Sequence, residues 1–120
     1  SSDTFTSPPN TPLGTLHFPT TFTVVGGTSA GEVDVDWTAE LGSDGTTADV
    51  VKLFTVRGVP DASGNHVVAD HSTGLSRATT TKTITGLTTS VDYVTVFYLQ
   101  GAGTAVGSLS RAVWSDVTAT

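Results

Sequence analysis

The chain has 120 residues, with 11 acidic and 5 basic side chains, a formal net charge of −6, and no Cys or Met. That length fits one domain whose core closes without metal or disulfide staples. Zero Cys excludes a disulfide scaffold, a thiolate zinc site and a Cys nucleophile, and the acidic balance argues against nucleic acid, which needs a basic stripe to displace counterions.

In chain order, residues 1–18 come first, and they carry Pro8, Pro9 and Pro12 among many Ser and Thr. Proline fixes φ and lacks a donor, so this segment is expected to be an extended arm rather than a helix or strand. Fully extended, it could reach about 60 Å. Phe5, Pro8, Pro9, Leu13, Leu16 and Phe18 are its candidate contact residues. No basic segment followed by an apolar run opens the chain. Ser1 fits either a trimmed initiator Met or an earlier-removed signal, and both origins stay open.

From residue 19 onward, short runs rich in Val, Thr and aromatics alternate with Gly/Ser/Asp turns. Strands are expected over 21–25, 32–38, 50–59, 66–70, 79–85, 92–100 and 112–118. Turn signals fall at 26–27, 42–45, 61–65 and 101–103. No window carries a 3.6-residue apolar period, and no stretch approaches the roughly 20 apolar residues of a spanning helix. The expectation is an all-β, seven-stranded antiparallel sandwich over residues 19–120, with no membrane contact.

Val33, Val35 and Trp37 alternate with acids, and Gly86-Leu87 precedes Tyr93 by a short step before an apolar strand and Gly101-Ala102-Gly103. This pattern resembles the fibronectin type III family of immunoglobulin-like sandwiches. The family carries a Trp on its second strand, a Gly-Leu before the Tyr that opens its sixth, and a Gly-rich loop after that strand. Pro19 leading into Val24 looks like its usual first strand. The resemblance implies that Tyr93 buries its ring while its hydroxyl bonds backbone, with Leu87 plugging the sandwich end. Thr89-Ser90 departs from the family's common Pro-Gly, and Thr95 from its preferred branched apolar residue.

The polar residues form no recognisable catalytic motif. Asp70 and His71 with a Ser would suggest a triad, but no Gly-x-Ser-x-Gly elbow is present. His66 and His71 are expected on the surface. Glu32, Asp34 and Asp36 are expected to form a solvated outer face, and residues 61–65 a hairpin turn without the spaced acids of a calcium loop. No Asn-x-Ser/Thr sequon or Arg-Gly-Asp tripeptide occurs. No catalytic residue, metal site or cofactor is therefore expected, and the chain is expected not to be an enzyme.

One feature departs from a plain sandwich. With Tyr93, Phe97 and Leu99 inward, Val94, Val96 and Tyr98 point outward. With Phe54 and Val56 placed inward on the neighbouring strand, Val51 and Leu53 join that outer patch. A contiguous outer apolar patch marks a contact surface; the arm's Leu13, Leu16 and Phe18 are the competing cover for it. Among proteins of this resemblance, a free-standing, Thr-rich, Cys-free domain looks like a bacteriophage accessory protein at the virion surface. It would dock on a capsid or tail lattice through arm and sheet face, with copies of itself as further partners. The alternative is a carbohydrate-associated or spacer module of a secreted bacterial glycosidase or adhesin, with Trp114 and Tyr98 as sugar platforms.

Overall fold

The computed structural model describes residues 18–37, 50–76, 79–101 and 110–120. Their strands are β1 (Phe22–Gly26), β2 (Val33–Trp37), β3 (Val50–Arg57), β4 (Val68–Asp70), β5 (Thr81–Ile84), β6 (Asp92–Gln100) and β7 (Ser110–Thr118). All seven expected strands form, several of them trimmed at the ends. The largest change is at β5, which keeps only Thr81–Ile84 of the expected 79–85, and β4 starts at Val68 rather than at residue 66. His66 is drawn out of the strand by its side chain, whose Nδ1–H donates to the Arg57 carbonyl at 2.8 Å.

Two antiparallel sheets result, one of three strands in the order β1-β2-β5 and one of four in the order β4-β3-β6-β7. They pack face to face through one core. Val33, Val35, Trp37 and Ile84 come from the smaller sheet; Val51, Leu53, Tyr93, Phe97 and Leu99 come from the larger. Phe97 is the aromatic hub, with Trp37 at 5.0 Å, Phe18 edge-on at 5.7 Å and Phe22 at 6.1 Å between ring centroids. Edge-on and tilted pairs of this kind add to the area that the rings bury.

The end of the sandwich is closed by three segments meeting at Gly31. Its N–H donates to the Thr120 carbonyl at 2.6 Å, and its carbonyl accepts from the Leu87 N–H at 3.0 Å. Gly31 has φ +75°, and a Cβ there would lie 2.5 Å from the Leu87 carbonyl oxygen, so only glycine fits. Beside it, the Thr88 N–H donates to the Tyr93 hydroxyl at 2.8 Å. Tyr93 is buried, and Leu87 packs against the core. Residues 61–65 form the expected turn: the Asp61 carboxylate accepts from the Ser63 and Asn65 N–H groups at 2.9 and 3.0 Å.

Three sequence-based placements are corrected. Val51 and Leu53 are core residues, not outer ones, and Phe54 and Val56 take the outer face instead. Phe18, expected as a contact residue of the extended arm, belongs to the core: it is 7% exposed, with the Arg111 guanidinium 4.6 Å above its ring. His71 is half-buried rather than on the open surface, with its Nε2 2.7 Å from the Thr55 hydroxyl. Phe5, Pro8, Pro9, Leu13 and Leu16, together with the turn at 42–45, lie outside the described residues.

Candidate interaction face

The outer face of the four-stranded sheet is built by register. Val68, Val56, Val94 and Asp116 form one row across β4, β3, β6 and β7. Asp70, Phe54, Val96 and Trp114 form the next, and Lys52, Tyr98 and Ala112 a third. Side chains directly opposite on adjacent strands touch, and diagonal neighbours are within reach of long or aromatic groups. Phe54, Val56, Val94, Val96 and Tyr98 are therefore half-buried by one another, outside the core cluster. At the two edges, Val68 is 61% and Trp114 71% exposed.

Alternation normally puts polar groups on such a face. Here the polarity is inverted: Thr55 and Thr95 point inward at the row where Phe54, Val56, Val94 and Val96 point outward. Charge is confined to the rim, at Asp70, Asp116 and Lys52. The Asp70 carboxylate is held below its ordinary value by hydrogen bonds from Ser72, with lesser help from Lys52 and His71. Tyr98 turns its hydroxyl to the Gln100 side chain at 2.8 Å, leaving its ring on the face.

The expected outer residues Val94, Val96 and Tyr98 are thus brought together, and Val51 and Leu53 are not among them. The sequence does not point to Phe54, Val56 or Val68 on this face, and it points to Trp114 only as a sugar platform. The signal was Lys52. It shares its parity with Phe54 and Val56, so burying those two would also have buried an unpaired ammonium.

The other acidic residues do not converge. Glu32 accepts from the Ser29 N–H at 3.1 Å within the β1–β2 turn, and Asp34 accepts from the Thr83 hydroxyl at 2.8 Å on the outer face of the smaller sheet. Among the described residues no group of three or more His, Asp or Glu is placed to hold a metal ion. A groove of about 560 Å³ runs past Gly58, Asp92, Val94 and Asp116, where Asp92 accepts from the Thr118 hydroxyl at 2.6 Å. No family model matches this chain, and no curated protein is significantly similar to it.

Proposed function

We propose that this chain is a non-enzymatic interaction protein that docks on a protein lattice through the outer face of β4-β3-β6-β7. The observation that carries this is the contiguous row-by-row apolar surface from Val68 through Phe54, Val56, Val94 and Val96 to Trp114. Apolar patches of that continuity, rimmed by charge, mark contact surfaces.

The finer assignment is a fibronectin type III-like sandwich acting as a decoration or accessory protein on a bacteriophage capsid or tail. Its family part is supported by Trp37 in β2, by Leu87, and by the hydrogen bond from the Thr88 N–H to the Tyr93 hydroxyl. The fourth strand lies beside β3, whereas constant-type immunoglobulin domains carry it on the other sheet. The virion part rests on the small, Thr-rich, Cys-free composition together with that resemblance. On a repeated lattice, avidity makes modest single contacts sufficient. Residues 1–17 would act as a second point of attachment, with Phe18 anchoring them to the core.

The test is cosedimentation with phage particles stripped of this protein. Val96→Lys places a charge at the centre of the face and is expected to abolish binding while leaving the fold intact. Deletion of residues 1–16 is expected to weaken it. Unchanged binding in both variants overturns the proposal.

A second reading is favoured by one observation: Trp114 and Tyr98 share this face, as a sugar-stacking platform would require. A module of a secreted glycosidase or adhesin is expected to be retained on an insoluble polysaccharide and lost from it with Trp114→Ala, whereas lattice docking predicts no retention by either form.

A further inference from the structure

The inner side of the larger sheet holds a second feature, at the end closed by Tyr93 and away from the docking face. A cleft of about 240 Å³ opens there, lined by Arg57, Tyr93, Thr88 and the apolar Leu87, Val67 and Ala69. Arg57 and Tyr93 are directly opposite in the β3–β6 register, so both side chains enter it from the same side of the sheet. The Arg57 backbone is held on both flanks: its N–H donates to the Val67 carbonyl at 2.9 Å, and its carbonyl accepts from His66.

The hydrogen-bond inventory of this cleft is unbalanced. The Arg57 Nε is buried and has no partner among the described residues. The Tyr93 hydroxyl accepts from Thr88, and among the described residues its own proton has no acceptor. Among the described residues no carboxylate lines the cleft; Asp61 is bonded within its own turn and Asp92 to Thr118. In a chain of net charge −6, Arg57 has no carboxylate partner among the described residues. Arg57 and Tyr93 both line this small space, whose back wall is apolar. Such a site calls for an acceptor that carries charge and a short hydrocarbon body.

We propose that this cleft binds a compact organic carboxylate, its oxygens bonded by Arg57 and Tyr93 and its apolar tail against Leu87, Val67 and Ala69. The fork geometry of arginine matches a carboxylate better than a lysine does.

The test is a titration of the full chain with sodium butyrate, followed by two-dimensional amide and Arg side-chain NMR, with butyramide as the neutral isostere. Saturable shifts are expected at the Arg57 Nε–H and at Leu87 and Thr88, and butyramide is expected to leave them unmoved. Arg57→Gln is expected to weaken binding about tenfold or more, with Arg57→Lys intermediate. Retained amide dispersion checks the fold of each variant. Absence of saturable shifts, an equal response to butyramide, or undiminished binding by Arg57→Gln each overturns the proposal. Because the docking face is not involved, each of these outcomes leaves the lattice-docking proposal standing.

Discussion

The two sheets of this sandwich share one apolar core but treat their outer faces differently. In the three-stranded sheet, Val33, Val35, Trp37 and Ile84 point inward, and Thr23, Asp34, Asp36, Thr81 and Thr83 point outward, with Asp34 and Thr83 bonded to each other. In the four-stranded sheet, hydroxyls of Thr55 and Thr95 sit inside, and Phe54, Val56, Val94, Val96 and Trp114 sit outside. Folding alone favours the first arrangement, because it buries apolar area and leaves polar groups wet. The second keeps apolar area in water and polar groups in the core. Its stability cost is offset only if the outer face is covered in use.

The largest test of that contrast uses the two tryptophans, one on each sheet. Trp37 is 2% exposed against Phe97, whereas Trp114 is 71% exposed. Trp37→Ala is expected to destabilise the fold by about 3–5 kcal/mol. Trp114→Ala is expected to stay within about 0.5 kcal/mol of wild type, as surface changes do. Urea unfolding followed by tryptophan fluorescence or circular dichroism measures both. Comparable losses for the two would show that the outer face is structural rather than free.

Thr95 gives the next largest effect, and the opposite sign. It is 0% exposed and its hydroxyl has no partner among the described residues, so the hydroxyl is desolvated without return. Thr95→Val keeps the volume and is expected to stabilise by about 1 kcal/mol in the same unfolding assay. Thr55→Val is expected to gain less, because the Thr55 hydroxyl is bonded to His71. Thr95 also shows what could be seen in advance. Its departure from an apolar preference was visible in the sequence, as were the β2 alternation and the Tyr93 corner. The parity of β3 is harder to read. Phe54-Thr55-Val56 looks inward-facing at its two apolar ends; Lys52, on the same parity, is the one sequence signal against that, and the pairing of Thr55 with Thr95 and Val51 with Leu99 reverses it. The Arg57 cleft could not be foreseen, since it depends on two residues 36 positions apart being directly opposite.

A smaller gain is expected at the corner that joins the sheets. Ser90 has φ 63°, in the left-handed region, and the Val91 N–H closes the turn on the Thr88 carbonyl at 3.3 Å. That position of such a turn favours glycine, the residue that the family resemblance commonly places there. Ser90→Gly relieves the Cβ crowding at some entropic cost, and its N–H can still donate to the Ala119 carbonyl. The net expectation is a stabilisation of about 0.5 kcal/mol, read as a rise in the urea midpoint.

The finest probe of the polar interior is pH. His71 lies at the flank where the inner face of β3 meets β5, bonded to Thr55 and faced by Asp70 and Lys82. Burial lowers its pKa below the ordinary 6.5; Asp70 pulls it back up, and Lys82 adds to the lowering. The folded state therefore favours the neutral ring. Its contribution is fully present above the unfolded value of about 6.5, and is lost as pH falls from there through the lower folded value. Asp70 works in a separate, more acidic window, since its own folded value lies below 3.8. The effect is the smallest of the four because His71 is only half-buried and solvent screens it. Urea midpoints measured from neutral pH down to about pH 5 should fall for wild type more steeply than for His71→Gln. Equal slopes would mean that the ring opens to solvent on protonation without strain, and that Thr55 keeps its place in the core through packing alone.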